Sequence, residues 1–380
     1  LKIYNPSNCS DITTMTDNLQ KTGLKLEKLK DHWILTPQKK MKRNGELHIN
    51  DSGTAYRFLI ARTASIQRSK YSIKATEQLI SRPIEPLLDI LEKMGSSIVK
   101  QNYTLKVNGT YLNGGVYDLP ADISSQFISS LLLIAPSYKN DLELFLEGDI
   151  VSRTYIDMTI KIMQDFGVIV DFDGSRIFIQ AGQEYNDLSE YNIEPDFSSS
   201  CYFWALGALS KSAVSTNTIQ QTSLQPDYNF LTLLKKIGAR IEISKNKIEV
   251  IRNEIKGITI NMRDMPDQVP TLVILALFAD SKTKITNIEH LIYKESNRIE
   301  ALEVELLRIG ANVSYENGTL TVMPLNSIPG SVTLNSYHDH RLVMAFHILK
   351  LIFPQITITN SSSVEKSYPN FLNDIKSIKI

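Results

Sequence analysis

Cysteine, tryptophan, surplus charge and long apolar runs are all scarce in this 380-residue chain. Cys9 and Cys201 are its two cysteines, too few and too far apart in sequence for a disulfide framework. Lys plus Arg number 41 and so do Asp plus Glu, so there is no cationic excess to neutralise a phosphate backbone, which argues against a nucleic-acid partner. The longest apolar stretches, such as residues 271–279, fall short of the ~18 residues a membrane span needs, so a soluble chain without a membrane partner is expected. No signal-like start or low-complexity tract occurs, which makes the cytoplasm the expected compartment. No exposed heptad or long apolar patch argues against a monomer.

What the chain does contain is repetition. Gly23, Gly95, Gly167, Gly238 and Gly310 each follow an amphipathic helical pattern and precede a strand pair, at separations of 72, 72, 71 and 72 residues by subtraction. In the second copy Pro83 suits a first helical turn, and Ile84, Leu87, Leu88, Leu91 and Met94 share a face before Gly95. The third copy places Met158, Ile162, Met163 and Phe166 before Gly167. It continues with residues 168–172, the turn Asp173-Gly174 and residues 177–179. Asn317-Gly318 holds the equivalent turn in the fifth copy. A period this long is one supersecondary unit whose apolar face needs neighbours.

The length exceeds one comfortable core and suggests two or three domains, and the repeats divide it into two, 1–194 and 195–380, each built on three α/β units. The crossing is expected near Glu194-Pro195, before a helix opening with Ser198-Ser199-Ser200. Residues 371–380 read as part of a sixth unit lacking its partner. One continuous solenoid is the alternative architecture.

Four arginines fall at helix starts. Arg57 follows Gly53-Thr54, Arg82 abuts Pro83, Arg298 follows Glu295-Ser296 and Arg341 follows Asp339-His340. A cation there opposes the helix dipole by ~0.3–1 kcal/mol. One such arginine is commonly a surface or i,i+4 pair. Four equivalent ones point to a recurring anion site, where free backbone N–H groups and guanidinium forks hold phosphate or carboxylate.

These residues carry a resemblance. Gly53-Thr54-Ala55-x-Arg57, Ser81-Arg82-Pro83, Ser124-Ser125-Gln126-Phe127, Pro266-Asp267, Lys294-Glu295-x-x-Arg298, Asp339-His340-Arg341 and Lys366-x-x-Pro369 occur in the order seen in the 5-enolpyruvylshikimate-3-phosphate synthase family, across residues 1–376. The resemblance implies two globular domains of three repeated α/β units, an inside-out α/β barrel arrangement, closing around shikimate 3-phosphate and phosphoenolpyruvate. It implies transfer of the enolpyruvyl group to the 5-hydroxyl of shikimate 3-phosphate through a tetrahedral intermediate that loses phosphate. No cofactor and no metal are required by this chemistry, and His338-Asp339-His340 reads as a helix start rather than a ligand set.

The resemblance places Ser124, Ser125, Gln126, Ser152, Tyr155, Asp267 and Lys294 at shikimate 3-phosphate; for the serines, helix capping is the competing reading. It places Gly53, Arg57, Arg82, Gln126, Arg298, Arg341 and Lys366 at phosphoenolpyruvate. Asp267, Glu295 and Lys366 take the catalytic roles, with Asp267 at the hydroxyl and Glu295 with Lys366 near the methylene carbon. Helix capping competes as the role of Asp267.

A related transferase acting on UDP-N-acetylglucosamine commonly carries a cysteine in the loop before the arginine matched by Arg82. Here that loop runs from Ala75 to Ser81 without a thiol, and Cys201 lies in an apolar stretch suited to a small buried side chain. The chain also departs from the family. Nothing matches its opening Lys-Ser-x-Ser segment, so a further ~40 N-terminal residues, the length the repeat leaves unaccounted for, are expected on the active protein. A short form would instead fit an inactive, ligand-binding relative. Asp51 replaces a usual asparagine, Phe58 a frequent proline, and Gln78 and Ile292 two arginines.

Overall fold

A computed structural model describes residues 1–38, 40–217, 222–325, 327 and 330–378. The chain divides into two compact units, Leu1–Glu194 and Pro195–Ile380, each with its own apolar core.

The five repeat glycines all have positive φ, from 81° at Gly310 to 117° at Gly23, a region open to glycine without a Cβ penalty. In four of them the following N–H, that of Ser96, Val168, Ala239 or Ala311, reaches back to the carbonyl of Leu91, Met163, Leu234 or Leu306 at 2.9–3.1 Å. This closes the helix with a Schellman motif and turns the chain toward the strand pair that follows. Asn317 and Gly318, both at positive φ, form the tight turn joining Val313–Glu316 to Thr319–Val322.

One sheet pattern recurs. Asn44–Asn50 pairs in parallel with Ser69–Ala75, which pairs antiparallel with Thr104–Gly109, and that with Ser97–Gln101. The third repeat copies this with Gly115–Pro120, Leu142–Glu147, Arg176–Ile179 and Asp171–Phe172. The fifth does so with Thr259–Asn261, Thr283–Thr286, Thr319–Val322 and Val313–Glu316. In the first sheet the leading place is taken by Glu190–Asn192, beside Lys2–Tyr4, His32–Pro37 and Leu24–Lys28. Among the described residues the fourth sheet has three strands and the sixth two, Val332–Leu334 and Ile356–Ile358.

Two kinds of helix recur in the second to sixth repeats. Val269–Ala276 is buried at every residue, and Phe197–Leu209 and His340–Ile352 nearly so, because their sequences are apolar on all sides and only an interior position hides them. Gly53–Ser65 and Ser125–Ile134 have the same character in the first unit. The sheets lie outside them: along Thr104–Gly109, Leu105 and Val107 are buried while Lys106 and Asn108 face solvent. The architecture is therefore α/β with helices within and sheets without, as the resemblance implies.

Local details correct the sequence reading. The second-copy helix is Glu85–Lys93, with Pro86 in its first turn; Pro83 lies outside it, ahead of Ile84 at φ −144°. In Arg153–Asp165 the buried side chains are Ile156, Ile160 and Met163, while Ile162 is 41% exposed. Residues 168–170 form no ladder, since the Gln183 side chain takes both the N–H and the carbonyl of Ile169. At the C-terminus Phe371–Lys376 is a short helix, and residues 379 and 380 lie outside the described set.

Candidate active site

In the first unit Gly53, Ser124, Ser125 and Gln126 gather at helix starts, whereas Arg82, expected at one, follows the end of the short helix Glu77–Ile80 and lies two residues ahead of the N-cap Ile84. Gly53 opens its helix without a side chain, and a Cβ there would lie 2.8 Å from Arg57 Nη1 and 3.1 Å from Arg82 Nη1. Two guanidiniums therefore converge on that backbone. Arg57 is 3% exposed and donates to Gly53 O at 3.1 Å and to Pro83 O at 3.4 Å, with its guanidinium 5.9 Å from the Phe127 ring centroid. Gln126 Nε2 donates to Thr54 Oγ1 at 2.9 Å across 72 residues, so the starts of two consecutive interior helices are side by side.

The hydroxyls differ in what they already do. Ser124 caps Ser125–Ile134, its oxygen accepting from Gln126 N at 3.3 Å, so the capping reading holds for this residue. Capping uses a lone pair and leaves the O–H proton for another acceptor. Ser152 precedes Arg153–Asp165 in the left-handed region, φ 53°, and makes no side-chain cap bond. A non-glycine residue held there costs ~1–3 kcal/mol, a strain concentrated at functional sites. Tyr155 N bonds back to Ser152 O at 3.0 Å.

In the second unit the candidates form one ionic cluster. Arg298, first residue of Arg298–Leu307 and 1% exposed, joins three carboxylates: Nε to Asp339 Oδ2, Nη1 to Asp267 Oδ1 and Nη2 to Glu295 Oε2, each at 2.8 Å. Arg341 Nη2 lies 3.1 Å from Asp267 Oδ2, and its Nη1 donates to Tyr202 OH at 3.4 Å. Lys294 Nζ is 3.9 Å from Asp267 and Lys366 Nζ 3.8 Å from Glu295. Four cations thus face three carboxylates, and Arg341 Nε is buried without a hydrogen-bond partner. A buried N–H left unmade costs ~1–3 kcal/mol, which an incoming anion would recover.

These charges set proton affinities. Burial alone would raise the Asp267 carboxyl, but Arg341, Lys294 and Arg298 outweigh it and hold the group well below the ordinary carboxylate range. Burial lowers His340 to about 4, with Arg341 adding to the effect, so its imidazole is neutral near pH 7. Asp267 does not cap a helix; its oxygens are committed to the two guanidiniums.

Sequence reasoning missed several participants. Asp339 is the fully buried partner of Arg298 and also the N-cap of His340–Ile352, accepting from Arg341 N at 2.9 Å. Its place one residue ahead of a histidine-arginine pair was the available signal. Tyr202, Gln268 and Thr54 are neutral partners that only tertiary structure identifies. Arg298 has its donors directed at carboxylates, so its clearest structural role is to hold Asp267, Glu295 and Asp339 in one arrangement. Ile292, in place of a family arginine, is 41% exposed beside this cluster's Lys294.

A family model described as EPSP synthase (3-phosphoshikimate 1-carboxyvinyltransferase) matches residues 1–375. A 3-phosphoshikimate 1-carboxyvinyltransferase of Methanocaldococcus jannaschii is 33% identical over 386 residues, covering 99% of this chain and 89% of the relative. Among solved structures, EPSP synthase from Acinetobacter baumannii superposes with a TM-score of 0.78 at 21% identity, over 99% of this chain and 89% of that one. The enolpyruvyl transferase NikO from Streptomyces tendae gives 0.79 at 14% identity, over 99% and 88%. At such identities the two structures speak for the fold.

Proposed function

From the premise that this chain belongs to the EPSP synthase family and is a 3-phosphoshikimate 1-carboxyvinyltransferase, we propose how its residues divide the work of moving the enolpyruvyl group of phosphoenolpyruvate onto the 5-hydroxyl of shikimate 3-phosphate. One observation carries the division: a buried cluster in which cations outnumber carboxylates and one guanidinium N–H is unsatisfied.

Arg341 and Lys366 supply fixed positive charge for the phosphate and carboxylate of phosphoenolpyruvate, together with the Gly53, Arg57, Arg82 and Gln126 set of the first unit. Arg298 serves the same anion through the carboxylates it holds in place. Ser124, Ser125, Ser152, Tyr155 and Gln126 offer neutral donors to the phosphate and hydroxyls of shikimate 3-phosphate, joined by Asp267 and Lys294. Asp267 takes the 5-hydroxyl proton as oxygen bonds to C2, and Glu295 with Lys366 delivers a proton to the methylene carbon. Loss of that methyl proton with departure of phosphate restores the double bond.

Asp267 is a poor base while three cations surround it. Substrate anions that engage Arg341 and Lys294 share those charges and raise its basicity, so substrate binding arms the base. We further propose a cytoplasmic monomer; among the described residues no helix is long and apolar enough to cross a membrane. The test is phosphate release from phosphoenolpyruvate that requires shikimate 3-phosphate. Glu295→Gln and Lys366→Met should each lower kcat by ~10²–10⁴ with cooperative melting retained. Turnover within twofold of the parent in both variants would remove these residues from the proton steps.

A further inference from the structure

Asp227 lies behind the ionic cluster and has no place in the reaction so far. It sits in the turn Pro226–Asn229 at 1% exposure, with the Cys201 thiol donating to its backbone carbonyl at 3.3 Å. Its Oδ2 accepts from Gln268 Nε2 at 2.8 Å, while Oδ1 is buried without a well-formed hydrogen bond. Gln268 also donates to Ser198 O at 3.3 Å and accepts from Thr271 Oγ1 at 3.2 Å, and it follows Asp267 in the chain. A carboxylate in this position is expensive, because an asparagine could accept the same amide bond without burying charge.

Its electrostatic neighbours suggest what the charge does. Asp267 faces it from the turn Pro266–Gln268, Arg341 from His340–Ile352, and Asp196 and Cys201 belong to the adjoining helix Phe197–Leu209. Burial first, then Asp267, raise Asp227 to about 6, against the pull of Arg341. Protonation of Asp227 removes one of the negative charges that face Arg341.

We propose that Asp227 is a positioning residue that couples anion binding to proton uptake: a phosphoenolpyruvate-like anion on Arg341 drives a proton onto Asp227, while the Asp227–Gln268 bond holds the turn that carries Asp267. The inference rests on the assignment of Arg341 to the anionic substrate. The sign follows from linkage. An added negative charge near Asp227 raises its proton affinity, so binding takes up a proton, and by reciprocity lower pH tightens binding. The Michaelis constant for phosphoenolpyruvate then rises between pH 6 and 8, by up to about tenfold for each unit of displaced pKa.

Titration calorimetry of phosphoenolpyruvate binding near pH 7, in buffers of different ionisation enthalpy, reads the coupling. The substrate titrates identically in parent and variant, so their difference isolates the protein group. The parent should take up roughly half a proton more than Asp227→Asn. The variant should also show a weaker pH dependence of the Michaelis constant, keeping the part that the substrate's own titration supplies, while kcat stays within about threefold. A purely structural Asp227 would change melting and leave proton uptake alone. Equal uptake in parent and variant overturns the coupling while leaving Arg341 as the anion ligand. Loss of phosphoenolpyruvate binding in Arg341→Gln separately checks that assignment, and retained binding there fells both. Should Asp227→Asn not fold, carboxyl ¹³C titration of the parent decides: a resonance with its midpoint near 6 that moves up with phosphoenolpyruvate supports the proposal, and none above pH 5 overturns it.

Discussion

The two sets of candidate residues solve the same problem by opposite means. In the first unit the guanidinium of Arg57 is aimed by backbone carbonyls, and neutral hydroxyls and amides stand at helix starts. In the second, guanidiniums and carboxylates hold one another, with Arg298 wholly enclosed. Carbonyl-held cations keep their charge available to a ligand. Carboxylate-held cations trade some of that availability for tunable proton affinity, which suits the unit proposed to handle protons. The contrast teaches that backbone carbonyls can aim a cation where binding suffices, and that carboxylates serve where proton chemistry follows.

The largest test of the contrast is removal of one arginine from each unit. Arg298→Met strands Asp339 at 0% exposure together with Asp267 and Glu295, and breaking a buried pair this way costs ~3–5 kcal/mol. Arg57→Met removes a buried guanidinium that donates to the Gly53 and Pro83 carbonyls and should cost ~1–3 kcal/mol. Denaturant unfolding of both variants gives the comparison. Equal losses would mean that the carboxylates around Arg298 relax into water, and the cluster would not be the rigid frame described.

Acid sharpens the same contrast, because the two buried histidines, His290 and His340, both belong to the second unit. Burial lowers each to about 4. Their unfolded forms charge near pH 6.5, so the unfolded chain binds more protons as pH falls from there, and stability drops between about 6.5 and 4. Asp227, raised to about 6, acts in the opposite sense and gives back stability as pH falls through its titration. His340→Gln should flatten the acid slope by about 1.4 kcal/mol per pH unit over that window. An unchanged slope would show that His340 is already protonated or reached by water.

Much of this fold is legible in the sequence because the signals are local. A glycine that must adopt positive φ, or an Asn-Gly turn, declares itself wherever it stands, and a 72-residue recurrence multiplies the signal. Helix faces are less legible. Ile160 and Ile162 are equally apolar, and their different burial depends on which neighbours pack against Arg153–Asp165. The ionic cluster was partly legible through Lys294, Glu295 and Arg298, which lie within five residues of one another. Its other members come from positions 227, 267, 339, 341 and 366, and nothing in a linear pattern announces that Asp339 reaches Arg298 while Asp227 reaches Gln268. Neutral partners such as Thr54 and Tyr202 carry no charge pattern at all.

The smallest effects separate two serines that the sequence treats alike. Ser124→Ala removes a helix cap and should cost ~1 kcal/mol of stability along with one donor to shikimate 3-phosphate. Ser152→Gly removes a hydroxyl that caps nothing and relieves a left-handed backbone, so its stability should stay within about 1 kcal/mol of the parent or rise. Its affinity for shikimate 3-phosphate should nonetheless fall by about tenfold, the worth of one hydrogen bond to a charged group. Thermal melts paired with ligand titration distinguish the two. If Ser152→Gly destabilises as much as Ser124→Ala and binds normally, the strained conformation is maintained by the fold for its own sake. If it melts normally and binds weakly, the backbone strain at Ser152 is held for the ligand, and the first unit, like the second, stores part of its stability in its site.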